Sequence, residues 1–292
     1  MNKPNITLGK GGFFSKSFQL QEFKKFAELT GDYNPIHTDP GFSAMSRFER
    51  PVCHGMLLFG TINRVIGSQV SGPGSLQKRQ TLTFPYPAYS DEKITTQVWV
   101  TDIKNKKVYD MNTVISKQNG NMATLGKTTV FLPGEEFESE PIKDFGRKPD
   151  AEKISYKGMG VGETVKISRK FSEKDVEKRS NLTGDANPIF LSREFAREVG
   201  FDRQLIPGDL LGTIISNILG TKLPGLGTNW LKQEFRFLNP AYVGDEITGK
   251  VEITRIRPEK DLVDLKNTCI RSDGTTVLQG KSLVLVKDLQ QS

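Results

Sequence analysis

The eight residues Leu29-Thr30-Gly31-Asp32-Tyr33-Asn34-Pro35-Ile36 return as Leu182-Thr183-Gly184-Asp185-Ala186-Asn187-Pro188-Ile189, 153 positions further along the chain. The same offset pairs Phe18 with Phe171, Phe42 with Phe195, Phe48 with Phe201 and Arg50 with Arg203. It continues through Gly55 and Gly208, Leu57 and Leu210, Gly74 and Gly227, Phe84 and Phe237, and Tyr89 and Tyr242. A register held over so long a stretch makes the chain two copies of one unit. Its 292 residues, at roughly 150 per domain, give the same count. The copies are expected over 1–140 and 155–292. The join is expected in 133–162, which is rich in Glu, Lys, Pro and Gly and reads as a linker.

Each unit reads as helices followed by strands. Leu20, Phe23, Phe26 and Ala27 have helical spacing, and Ser172-Glu173-Lys174-Asp175 opens the equivalent helix with a capping-box pattern. A Gly-Asp-x-Asn-Pro turn follows, and then a more apolar helix over about 55–67, repeated over 208–220. Val, Thr, Ile and Tyr in partial alternation predict strands over 93–103, 108–118 and 122–132, and over 229–239, 246–256, 262–271 and 275–286. Long strands after an apolar helix predict an α+β layer, an antiparallel sheet wrapped around that helix. Two such sheets joined edge to edge would form one sheet and cover an edge strand of each copy.

Composition narrows the function classes. Hydrophobic residues at 36% and charged residues at 26% describe a globular chain with a buried core. No apolar run nears the ~20 residues of a membrane-crossing helix. The start lacks the order of a secretory signal, and Gln290-Gln291-Ser292 is not a peroxisomal address. Cys53 and Cys269 read as reduced, buried thiols, so a cytoplasmic location is expected. The net charge of +7 is scattered, with only short clusters such as 104–107. It reads as a solvated surface, with a phosphate-bearing small ligand next, and it argues against nucleic acid.

The chain has two histidines, His37 and His54, both in the first copy. Asp32 and His37 lie five residues apart across a turn stiffened by Pro35. Both can point into one cavity and hold a water between them, an arrangement suited to general acid–base work. The plainer alternative is an Asp capping a turn and a His satisfied in the core. Cys53-His54-Gly55-Met56 opens the apolar helix, where backbone N–H groups are free and carry partial positive charge. Gly55 would let a ligand oxygen come close, or it serves tight packing alone. His54 is either functional or a helix-start residue bonding a carbonyl.

The run Phe26, Leu29 to Asp32, Asn34 to His37 and Ser43 resembles the signature of the hydratase 2 family. The following segment, with Phe48, Pro51 and His-Gly-Met-Leu, is similar to MaoC-like (R)-specific enoyl-CoA hydratases. The two-copy layout resembles their double hot-dog form. The resemblance implies a tandem hot-dog fold and a hydro-lyase of acyl-thioester (fatty-acid) metabolism. Such an enzyme adds water reversibly and syn to a trans-2-enoyl thioester, giving an (R)-3-hydroxyacyl thioester. It implies that Asp32 and His37 hold the attacking water, with base and acid left open between them. Gly55 N–H would form the oxyanion hole, and Asn34, His54 and Asn63 would position water or substrate. It implies no metal and no cofactor, with the substrate carried on coenzyme A or acyl-carrier protein. It implies no nucleic-acid or membrane partner, and it leaves room for a homodimer of the fused pair. A hot-dog thioesterase and a non-catalytic acyl-thioester-binding protein are the alternatives.

Two departures stand out. The second copy has Phe190 at the histidine position and Pro207-Gly208 for His-Gly, so its site is expected to be inert and to leave room for a bulkier acyl chain. Single-copy bacterial hydratases often place a serine in the apolar helix near the histidine, where this chain has Asn63.

Overall fold

The computed structural model describes residues 5–105, 107–132, 140–143 and 155–290. The first copy runs β1 (Gly11–Ser17), α1 (Leu20–Thr30), α2 (Pro35–Thr38), α3 (Pro40–Met45), α4 (Gly55–Val65), β2 (Leu76–Thr83), β3 (Lys93–Lys104), β4 (Val108–Lys117) and β5 (Met122–Phe131). The short β6 (Ser155–Tyr156) and β7 (Met159–Gly160) precede the second: β8 (Thr164–Lys170), α5 (Glu173–Thr183), α6 (Pro188–Leu191), α7 (Arg193–Glu198), α8 (Gly208–Thr221), β9 (Asn229–Phe237), β10 (Glu246–Arg257), β11 (Leu262–Arg271) and β12 (Thr276–Leu285).

Local chemistry accounts for the helices. In α1, Phe23, Phe26, Ala27 and Thr30 form one buried face at helical spacing. Glu22 accepts from the Gln19 N–H at 2.9 Å at its start, and Gly31, at φ 76°, ends it in the left-handed region that costs glycine least. Ser172 and Asp175 cap α5 reciprocally, as the sequence predicts. Helices α4 and α8 are apolar nearly all round and lie in the core: eight consecutive residues of α4, Met56 to Asn63, are buried.

Ten antiparallel strands make one sheet in the order β1-β3-β4-β5-β2-β9-β12-β11-β10-β8. The two copies meet at β2 and β9, where Thr81 lies opposite Glu234, its own repeat counterpart. The junction is therefore a pseudo-two-fold axis, and the pairing removes one exposed edge from each half.

The strands β1, β2 and β8 go beyond those that alternation marks. In β2, Leu-Gln-Lys-Arg-Gln-Thr-Leu-Thr carries only two leucines, and its fully buried Gln80 bonds the Thr81 carbonyl at 2.8 Å instead of packing as an apolar residue. Part of the expected linker is also structured. Met159 in β7 is buried, Tyr156 in β6 bonds Asp261, and the Ile142 N–H donates to Gln279 at 3.2 Å, all contacts remote in sequence. The remainder of 133–162 lies outside the described residues. Cys53 and Cys269 are both free and buried. No helix among the described residues is long and apolar enough to cross a membrane.

Candidate active site

Asp32 and His37 are placed by the turn between α1 and α2. Gly31 reverses the chain, Asn34 precedes α2, and Pro35 occupies its first position. Asp32 is 2% exposed and His37 9%. The Asn34 N–H donates to Asp32 Oδ1 at 3.3 Å. His37 Nδ1 lies 2.8 Å from the Val52 carbonyl, which can only accept, so this nitrogen carries the proton and Nε2 is the one available to a ligand. Val52 is itself fixed, by an N–H bond to the Ile36 carbonyl at 3.0 Å and a β-bridge to Tyr89.

Ser216, in α8 of the second copy, donates its hydroxyl hydrogen to Asp32 Oδ2. This residue was missed by motif reading of the first copy alone, although the repeat register points to it. Ser216 is the counterpart of Asn63, so the serine absent from the first helix is retained in the second and crosses the pseudo-two-fold to serve the first site. Asn63 does the reverse. Expected beside His37, it lies instead in the second copy's pocket and donates to Asp209 at 2.8 Å. The two central helices pack across the axis, so each lends its polar position to the other copy's site.

His54 also departs from expectation. It is fully buried and absent from the pocket wall, with Nε2 donating to the Asp32 carbonyl at 3.1 Å. Its ring stacks on His37 at 3.9 Å between centroids and packs on Phe26 at 5.1 Å. It braces the Asp32–His37 turn from behind and lies outside the pocket wall. Asn34 lines the pocket, but its amide is committed across the copies, accepting from Gly227 N–H at 3.1 Å and donating to the Thr228 carbonyl at 3.0 Å.

The pocket, counted together with the open solvent at its mouth, spans about 1140 Å³, and its wall includes Asp32, His37, Gly55, Ser216, Tyr86 and Trp230. Gly55 begins α4, where the first N–H groups have no helical acceptor. A Cβ there would lie 2.8 Å from the Phe84 ring, and one on Gly208 would lie 2.6 Å from Phe237. Packing thus requires glycine in both copies, whatever further use Gly55 has.

Burial pushes the Asp32 carboxyl above its ordinary value, opposed by His37, the Ser216 hydroxyl and the Asn34 N–H. Burial also pushes the His37 imidazole below its ordinary value, opposed by Asp32 and the Val52 carbonyl. The two therefore approach one another, which eases proton exchange between them. Burial, then the neighbouring His37, drives His54 well below the usual imidazole range. With two histidines in the chain, ring-proton NMR resolves both. His37 is expected to titrate below pH 6.5 and His54 to stay neutral while the protein is folded. Asp32→Asn removes the charge that raises His37, so its midpoint should fall further; a midpoint that rises would contradict this geometry.

Asp32, His37 and His54 place their ligand-type atoms within 4.8 Å of one another. Metal–imidazole bonds lie in the ring plane at ~2.0–2.1 Å, however, and the two rings are stacked with 25° between planes. Their in-plane lone pairs run side by side and do not converge on one ion.

The second copy's pocket, about 590 Å³ with the open solvent at its mouth, is lined by residues that repeat the first: Asn187 for Asn34, Phe190 for His37, Phe201 for Phe48 and Gly208 for Gly55. The two pockets share no lining residue, so the space vacated in the second half does not extend the first. Asp185, the counterpart of Asp32, is bonded by Arg179 at 2.6 Å. The same guanidinium makes a two-pronged contact with Asp209 at 2.6 and 2.8 Å. Arg179 and Asp209 replace Phe26 and Met56 of the first copy. Besides lacking an imidazole, the second site has its carboxylate neutralised.

Comparison with known proteins follows the same division. The MaoC like domain model matches residues 14–121 and 158–273, one match per copy. An (R)-specific enoyl-CoA hydratase of Aeromonas caviae is 37% identical over 134 residues, covering 46% of this chain and 100% of the relative. A 3-hydroxybutyryl-CoA dehydratase of Methylorubrum extorquens is 33% identical over 144 residues, covering 49% of this chain and 91% of the relative. Among solved structures, a MaoC domain protein dehydratase of Chloroflexus aurantiacus superposes with a TM-score of 0.75 over 97% of each chain at 15% identity. A Mycobacterium tuberculosis protein described as a double hot-dog fold gives 0.74 over 96% of each at 13% identity. These structural likenesses establish the double hot-dog fold, and with one domain match in each half the chain belongs to the MaoC-like domain family.

Proposed function

We propose that the chain is an (R)-specific enoyl-thioester hydratase, acting in reverse as a 3-hydroxyacyl-thioester dehydratase, with one working site per fused pair. The observation that carries this reading is the meeting of Asp32 and His37, both buried and within 4.8 Å, on the wall of one large pocket beside the start of α4. Both carboxylate and imidazole reach the same water. One takes a proton from it as its oxygen bonds to C3 of the enoyl chain. The C2–C3 electron pair moves toward the acyl oxygen, where the Gly55 N–H stabilises the enolate. The pair then returns a proton to C2, so H and OH have been added and both groups are restored. Because the two groups lie on one side of the substrate, the addition is syn.

Ser216 and the Asn34 N–H hold the carboxylate, and the Val52 carbonyl fixes the imidazole tautomer; His54 supports both from below. Purified protein given a trans-2-enoyl-CoA should bleach enoyl absorbance and yield the (R)-3-hydroxy product on chiral analysis. Release of free thiol without hydration would instead identify a thioesterase, and tight binding without either would identify a binding protein.

A further inference from the structure

The pocket wall carries two cations that the acid–base chemistry leaves unused, Arg47 after α3 in the first copy and Lys232 on β9 of the second. Both are exposed, and neither forms an ion pair among the described residues. Nearby cations are engaged: Arg50 and Lys117 both pair with Glu92, at 3.2 and 3.0 Å.

The inert copy supplies an internal control. The counterpart of Arg47 is Gly200, and that of Lys232 is Arg79. Arg79 pairs with Glu234 at 3.1 Å, a carboxylate it shares with Arg236 at 2.9 Å, and the counterpart of Glu234 is Thr81, which cannot pair with Lys232. At the positions equivalent to these two cations, the half that lacks the imidazole thus has a glycine and an arginine held in an ion pair. In the half that kept Asp32 and His37, neither cation has a carboxylate partner among the described residues, and Arg47 lies over the Phe48 ring at 5.4 Å. A general solubility role would not follow the catalytic pair in this way.

We propose that Arg47 and Lys232 form a clamp for a phosphate on the arm that carries the acyl thioester. The assignment rests on reading the pocket as a thioester site. A carrier arm with its acyl end at Asp32 and His37 must leave through the pocket mouth. Arg and Lys arriving from two copies can grip one phosphate from two sides.

The test compares enoyl thioesters of pantetheine, which has no phosphate, of coenzyme A, and of acyl-carrier protein, in Arg47→Ala, Lys232→Ala and the double variant. The clamp predicts a KM rise of about tenfold per variant and about 100-fold together on phosphate-bearing substrates, with pantetheine thioester kinetics as in the wild type. That unchanged arm also reports correct folding. Loss on both carriers assigns the shared 4′-phosphate, and loss on coenzyme A alone assigns its nucleotide phosphates; either supports the clamp. Equal loss on pantetheine thioester, or no loss on any substrate, overturns it. Equilibrium binding of free coenzyme A needs no turnover and separates the two readings. Binding that depends on both cations in a protein that hydrates nothing would keep the clamp and sink the hydratase. Hydration with coenzyme A binding unchanged in the double variant would do the opposite.

Discussion

Asp32→Asn and His37→Ala are each expected to lower kcat for enoyl-thioester hydration by about 10²–10⁴-fold while leaving the protein folded. Asn is isosteric with Asp and removes a charge that burial already disfavours, so the thermal midpoint of Asp32→Asn should not fall as its activity does. The double variant should be little worse than either single one, because the two groups act on one water as a unit. Ser216→Ala removes a hydroxyl that lowers the Asp32 pKa, so Asp32 should protonate at a higher pH. Its kcat is expected to fall about tenfold, roughly the worth of a hydrogen bond to a charged group, and the acid limb of the pH–rate profile should move upward. Wild-type rates in both Asp32→Asn and His37→Ala would refute the assignment of the site.

Arg179→Leu is expected to destabilise the fold by about 3–5 kcal/mol, the usual loss when one partner of a buried ion pair is removed. Arg179 is fully buried between Asp185 and Asp209. Burial opposes its charge, yet the two carboxylates hold its pKa above the ordinary guanidinium value. Without it, both are left in the core with no cation, and burial already pushes Asp209 above the usual carboxylate range. The first copy shows the apolar solution at the same positions, Phe26 and Met56, with Ser216 serving its carboxylate. Arg179→Phe with Asp209→Met and Asn63→Ser transplants that solution and should recover most of the lost stability. Chemical denaturation of the two variants checks both halves of the expectation. If Arg179→Leu costs less than about 1 kcal/mol, the network is not holding the core together.

Much of the first copy's candidate site is legible in a line of residues because its residues are local. Gly31, Asp32, Asn34, Pro35 and His37 sit on one turn, and a turn's geometry follows from Gly and Pro. The long strands β3, β4, β5, β10, β11 and β12 were marked by their own alternation. What escaped is what depends on partners remote in sequence. The junction strand β2 looks too polar to be central, because its buried Gln80 is satisfied by hydrogen bonding and not by apolar packing. His54 resembles a site residue until the structure shows it facing His37 and a backbone carbonyl with no access to the pocket.

The sequence by itself determined that there are two units, that only the first keeps both a carboxylate and an imidazole, and that each wraps strands around an apolar helix. Repeats, turns and alternation are properties of neighbours along the chain, and they survive translation into one dimension. Only the tertiary structure decided that α4 and α8 exchange polar residues across the pseudo-two-fold, giving Ser216 to Asp32 and Asn63 to Asp209. It alone decided that Arg179 silences Asp185. These contacts join residues up to 184 positions apart. Which side chain completes a buried carboxylate is fixed by how two helices pack, and helix packing is a property of the whole core.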